Sequence, residues 1–411
     1  MRDGSGRIGN SLGVSTQLYD AAEHRPLTAA PWAETVARAA IEAIAADAVA
    51  AYQGPELLWP NASDDLEGDP DVPFRNVYLG AAGMAWALDL LARDRLGPEL
   101  PGLTELADGL LAGFWRAPEF VTLAPAPAAS LLFGESGIQL TVEVVRRNGE
   151  HLDELEACIR RNARNPTLEL CWGSPGTMVA ALSQWRATGE ARWRELWLDS
   201  ADWLLSEWND PVWVQDLYGE KRQLTGAGHG FAGNAFALLA GRDLLGERAD
   251  ALTSRVGDVL KHSAIESDGL AQWLPLAGVD SGRRPLQWCH GSPGIVTSLA
   301  SLPADEQTDR LLAAAGELTW LAGPLVKGVG LCHGTAGNAY AFLSLYARSG
   351  DERWLHRART FAMDAVADAD RRRTAADRGR YTLFTGDIGV ALLLRSCLDG
   401  DPTFPFLGQP A

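Results

Sequence analysis

Apolar residues recur at three- and four-residue spacing through 191–208, 249–262, 305–321 and 352–369, with charges at the positions between. That period predicts amphipathic helices lying on a core with one face in water. A second kind of segment alternates with them. Stretches such as Met84-Ala85-Trp86-Ala87-Leu88 and Asn338-Ala339-Tyr340-Ala341-Phe342 are nearly free of charge for two or three turns. They predict helices buried on most faces. Strand-like alternation is confined to loops such as 212–217.

Each charge-free segment opens on a G-x-x-G tetrad. Seven tetrads begin at Gly80, Gly134, Gly173, Gly230, Gly291, Gly334 and Gly386, at separations of 54, 39, 57, 61, 43 and 52 residues. The repeating unit is an outer amphipathic helix, a loop, and a glycine-opened inner helix, with glycine permitting close backbone approach where inner helices crowd. An open solenoid is the alternative, and Gly189-Glu190-Ala191-Arg192-Trp193 beside Gly350-Asp351-Glu352-Arg353-Trp354 fits it. Uneven periods and charge-free inner helices argue instead for an all-α fold, a closed α/α toroid of seven outer and inner pairs. The expected organisation is an N-terminal extension over 1–30, one toroid over 31–398 and a tail over 399–411.

Aligning the tetrads on their first glycine shows what stands at the mouth of each inner helix. Two residues before it are Tyr78, Leu132, Cys171, Gly228, Cys289, Cys332 and Phe384, and one before are Leu79, Phe133, Trp172, His229, His290, His333 and Thr385. In a toroid with parallel inner helices these loops meet at one end. Thiolate and imidazole gathered there are zinc ligands by chemistry, and a Cys₂His set leaves a fourth position open, as catalytic zinc sites do. Adjacent residues can both ligate only from a loop, which Cys289-His290-Gly291 and Cys332-His333-Gly334 each supply. Spacing does not choose between the histidines. Cys158 and Cys397 read as small buried hydrophobes. Cys171 is in phase but leaves open whether it lines the site or is inert, and His24, His151, His262 and His356 read as solvated or helix-surface residues. Most tryptophans lie on amphipathic helices and read as core.

Charge narrows the partners. With 36 basic and 53 acidic residues the net charge is −17, which disfavours nucleic acid and anionic membrane as partners. The first twenty residues lack a basic stretch leading into an apolar one, so neither a signal peptide nor a transit helix is expected and the chain is expected to be cytoplasmic. Five cysteines are odd in number and too sparse for a disulfide framework.

The seven tetrads, Trp288-Cys289-His290-Gly291-Ser292-Pro293-Gly294 and Gly330-Leu331-Cys332-His333-Gly334-Thr335-Ala336-Gly337-Asn338 resemble lanthionine synthetase C-like (LanC-like) proteins, with Gly226-Ala227-Gly228-His229-Gly230 similar to that family's histidine motif. The resemblance spans nearly the whole chain, and the wording from Cys332 to Phe342 is nearer the eukaryotic-type members. It implies an α/α toroid holding one zinc ion by Cys289, Cys332 and His333, with His290 a neighbour. It implies addition of a thiol to dehydroalanine or dehydrobutyrine to give a thioether, with His229 as acid/base and Glu169 orienting it. Family cyclases often carry an arginine four residues before the first zinc cysteine; that place is Pro285 here, and Arg284 is the candidate substitute.

No second catalytic block is present, so a separate dehydratase is expected to make the electrophile. The 54- and 39-residue spacings leave no room for the inserted small domain of some cyclases. Two substrates compete: a dehydrated peptide closed by its own cysteine, and a dehydroamino acid in a peptide or protein attacked by an external thiol such as glutathione. A scaffold that captures a thiol without turnover would need the metal but no proton donor. A glycosidase on the same fold would want two acids facing the pore and would leave the Cys-His pairs without a role.

Overall fold

The computed structural model describes residues 18–28, 30–62, 73–117, 119–120 and 127–408. Among them fourteen α-helices alternate between two rings. The outer ring is α1 (Glu34–Ala50), α3 (Leu103–Arg116), α5 (Leu152–Asn162), α7 (Ala191–Ser206), α9 (Arg248–Ser263), α11 (Glu306–Ala322) and α13 (Glu352–Ala376). The inner ring is α2 (Ala81–Arg93), α4 (Glu135–Arg146), α6 (Ser174–Thr188), α8 (Phe231–Ala240), α10 (Ser292–Leu299), α12 (Thr335–Ser349) and α14 (Ile388–Asp399). Each inner helix packs on the next, and α14 returns to α2 while α1 covers α14. The ring is therefore closed, a seven-pair α/α toroid.

Burial follows the two sequence patterns. Outer helix α9 buries the stripe Leu252, Val256 and Leu260 and keeps its charges in water. Inner helix α12 buries eleven consecutive residues, from Thr335 to Leu345. Each fully buried Leu or Val side chain contributes about 1.5–3 kcal/mol relative to exposure. The second tetrad glycine has a steric origin: a Cβ on Gly337 would run into the Leu331 carbonyl six residues back. The same six-residue contact recurs at Gly83, Gly137, Gly176, Gly233, Gly294 and Gly389. The tetrad thus folds each mouth loop flat onto the helix it opens.

Two hairpins decorate the rim: β1 (Gln215–Leu217) with β2 (Glu220–Arg222), and β3 (Ala264–Ser267) with β4 (Leu270–Trp273). The first coincides with the strand-like 212–217 pattern; the second lies outside it. Its Asp268-Gly269 turn, with both φ positive, is the two-residue connection that selects a hairpin.

Residues 18–28 pack against the toroid. Leu18 is buried on Leu286, Leu318 and Ala322, and Arg25 forms a bidentate pair with the buried Asp364. His24 departs from expectation. It is not solvated: its Nδ1 lies 2.9 Å from the Gly323 carbonyl, its ring packs edge-on against Tyr19, and burial lowers its pKa. No described helix is long and apolar enough to cross a membrane.

Candidate active site

The mouth of the toroid is a ring of backbone hydrogen bonds between residues at one register, two before each tetrad. Tyr78 N donates to Leu132 O, Leu132 N to Cys171 O, Gly228 N to Cys289 O, Cys289 N to Cys332 O, Cys332 N to Phe384 O, and Phe384 N back to Tyr78 O, over 2.8–3.4 Å. The seventh link is different. Cys171 N turns aside to Glu169 Oε2 at 3.0 Å, and the Cys171 thiol, rather than an amide, reaches Gly228 O at 3.3 Å.

The ring brings Cys289, Cys332 and His333 together, with one potential ligand atom from each within 4.8 Å of the others. Both cysteines are buried and His333 is partly so. The hydrogen bond from Cys332 holds the Cys289 thiol well below its ordinary pKa, while that contact and burial push Cys332 up. Each sulfur has a further neutral neighbour: Gln287 Nε2 donates to Cys289 Sγ at 3.0 Å, and the partly buried Tyr78 lines the cavity with Cys332, where its hydroxyl counteracts the rise in the Cys332 pKa. Two sulfurs and an imidazole suit a borderline-soft cation such as zinc.

Beside this set lies a second one. Glu169 is fully buried before α6, where its carboxylate accepts from the N–H groups of Cys171, Trp172 and Gly173. Three backbone donors at the helix N-terminus hold this carboxylate in place. Its Oε2 lies 2.7 Å from His229 Nδ1, so the imidazole carries its proton there and exposes Nε2. Burial opposes the charged imidazolium, but the Glu169 hydrogen bond and charge outweigh it and raise the His229 pKa above 6.5. The glycines of Gly226-Ala227-Gly228 let this loop lie flush on Cys289, because a Cβ at 226 would meet the Cys289 carbonyl. Asn234 and Asn338, each following a tetrad, pin the neighbouring mouth loops by donating to Leu168 O and Leu286 O at 2.8 and 2.9 Å.

Both sets open into one cavity of about 390 Å³, lined by Cys171, His229, Cys289, Cys332 and His333. Its other wall is aromatic: Tyr78, Phe120, Tyr218, and Phe133 stacked on Trp172 at 4.3 Å.

Residues 75–407 match the profile of lanthionine synthetase C-like proteins. The chain belongs to that family. Among LanC-like relatives, "Glutathione S-transferase LANCL1" of Danio rerio is 32% identical over 45% of this chain and 44% of that protein. "LanC-like protein GCL1" of Arabidopsis thaliana is 44% identical over 20% of each chain. The matched segments thus span less than half of either relative. A solved structure, "Nisin cyclase", superposes with a TM-score of 0.56 at 16% identity, covering 80% of this chain and 90% of that one. That likeness is one of fold.

Arg284 lies apart from this LanC-like site. It forms an ion pair with Asp280 at 2.7 Å and lines a different depression, with Tyr19, Asp20 and Glu23. His290 stands with its ring 5.9 Å from that of His229, its Nδ1 buried without a hydrogen-bond partner. Cys171 lines the cavity, whereas Cys158 and Cys397 are buried elsewhere, their pKa values raised chiefly by burial. Two residues gave no signal in sequence. Gln287 lies two places before the tetrad register, and Tyr218 arrives on the tip of the β1–β2 hairpin, with φ of 55°, edge-on to His229.

Proposed function

We propose that this chain is a zinc-dependent enzyme that adds a thiol to the β-carbon of a dehydroalanine or dehydrobutyrine residue, giving a thioether. The observation that supports it is the convergence on one cavity of a Cys₂His set and a histidine held by a buried carboxylate. Cys289, Cys332 and His333 would hold the ion, leaving one coordination position for the incoming sulfur. When bound, the ion lowers the thiol pKa and keeps the sulfur deprotonated at neutral pH.

The protein residues supply the rest. As sulfur bonds to the β-carbon, the π pair moves towards the α-carbon and the amide oxygen. Protonated His229 gives its Nε2 proton to the α-carbon, and the proton lost by the thiol restores the imidazolium, so S–H adds across the double bond without a leaving group. Glu169 fixes the tautomer and stabilises the charged ring. Tyr218 accepts from Trp172 Nε1 at 3.4 Å and lines the same cavity, so its hydroxyl is placed to donate to the enolate oxygen. Arg284 is engaged by Asp280 and has no part in this scheme.

We favour an external thiol of the glutathione class. The Danio rerio relative is named a glutathione S-transferase and matches at 32% identity, whereas the likeness to nisin cyclase is one of fold. A separate dehydratase would supply the electrophile. The test is metal stoichiometry with thiol consumption in the presence of a dehydroalanine peptide. One zinc per chain, lost in Cys289→Ala and Cys332→Ala together with thiol consumption, supports the reading; zinc and bound glutathione without consumption would favour a binding scaffold.

A further inference from the structure

Each of the two sulfurs in the Cys₂His set is met by a neutral hydrogen-bond donor that the reaction above does not use. Gln287 Nε2 sits 3.0 Å from Cys289 Sγ, and Tyr78 lines the cavity with Cys332, its hydroxyl the side-chain partner that draws the Cys332 pKa down. The two donors come from different places. Gln287 is on the same mouth loop as Cys289, held in position by the Asn338 side chain on the Leu286 carbonyl and by its own N–H on His290 O at 3.1 Å. Tyr78 belongs to the first repeat and occupies the register that the cysteines occupy in the fifth and sixth. Its ring stacks on Phe384 at 4.9 Å, which holds the ring in the cavity wall.

A cavity built to present an electrophilic carbon to a thiolate holds a hazard. Two protein sulfurs lie beside the incoming one, and either could add to the electrophile and inactivate the site. Charge on a ligand sulfur is what makes it nucleophilic, and a donor hydrogen bond withdraws that charge. We infer that Gln287 and Tyr78 are positioning residues that cap the Cys289 and Cys332 sulfurs, lowering their nucleophilicity so that the uncapped substrate thiol is the one that reacts. This rests on the zinc and thiol-addition reading given above. The donors are neutral, so they do so without changing the net charge of a site in which two thiolates balance a dication.

The test uses the full chain loaded with cobalt(II) or zinc, with the isosteric variants Gln287→Met and Tyr78→Phe. Cobalt reports the sulfur charge directly, through thiolate-to-metal charge-transfer absorption. Removing a donor raises the sulfur electrons in energy, so each variant is expected to shift that band to longer wavelength. In the zinc form, iodoacetamide alkylation is followed residue by residue by mass spectrometry; a C–S bond forms as iodide leaves. Gln287→Met is expected to speed alkylation of Cys289 by about tenfold and leave Cys332 unchanged, and Tyr78→Phe to do the reverse, on the scale of one hydrogen bond to a charged group. A merely loosened fold would speed both cysteines together. Cobalt bound with unchanged bands, or alkylation without the residue-specific cross pattern, overturns the inference alone. A wild type that takes up neither metal overturns the zinc reading, and the inference with it.

Discussion

The Cys171 thiol donates to the Gly228 carbonyl at 3.3 Å, in the place where a backbone N–H links the other repeats of the mouth ring. The substitution of thiol for amide has a consequence next door. It frees the Cys171 N–H for Glu169, and so helps fix the carboxylate that holds His229. Cys171→Ala breaks this link without touching the Cys289, Cys332 and His333 set. We expect it to retain zinc, to lose about 1 kcal/mol of stability from one hydrogen bond, and to lower turnover. Thermal unfolding with metal analysis checks this; loss of zinc in Cys171→Ala would show that the thiol is itself a ligand.

The Glu169–His229 pair sets a pH dependence. His229 has its pKa raised above 6.5, so the stability that the pair contributes is complete below about pH 6.5 and is lost as pH rises through the raised value. Activity that needs protonated His229 falls on the same alkaline side. Glu169→Gln removes the raising influence, so the alkaline limb of kcat should move towards lower pH, with turnover down on the order of 100-fold. A pH–rate profile of the two proteins decides it, and an unshifted limb would separate Glu169 from the proton donor.

Gly337 and Gly257 respond oppositely to one methyl group. A Cβ at 337 would strike the Leu331 carbonyl, next to Cys332, whereas one at 257 meets nothing within 4 Å in the middle of α9. Gly337→Ala should therefore destabilise by about 3 kcal/mol, and Gly257→Ala should stabilise by about 1 kcal/mol through helix propensity. Denaturant titration measures both.

Much of this architecture is legible in the sequence, for reasons those glycines illustrate. The tetrads record a steric demand repeated seven times, and the helix periods record which faces are buried, so the toroid follows from local patterns. The register also places Cys289, Cys332, His333 and His229 at one mouth, because equivalent loops of a closed ring must converge. What escapes is what arrives from outside the repeat. Tyr218 comes from a hairpin tip, and Gln287 lies two places out of register. His24 is covered because residues 18–28 pack on α11, a tertiary contact with no local signature. Arg284 stands one residue from the place that the family motif uses, and there it faces Asp280.

Tyr218→Phe removes only the hydroxyl that is bonded to Trp172 Nε1. With the ring kept, substrate binding should change little, while kcat falls on the order of 100-fold, as for loss of one oxyanion donor. Steady-state kinetics at saturating thiol check the split; a change confined to KM would assign Tyr218 to binding.

The most direct test of the central claim is the intact mass of a dehydroalanine peptide after incubation with glutathione and zinc-loaded protein, wild type against His229→Asn. The account predicts a glutathione-sized mass gain with the wild type, and with His229→Asn retained zinc but no gain above the uncatalysed rate. Equal gains from both proteins, or none from a wild type that holds its zinc, would contradict it.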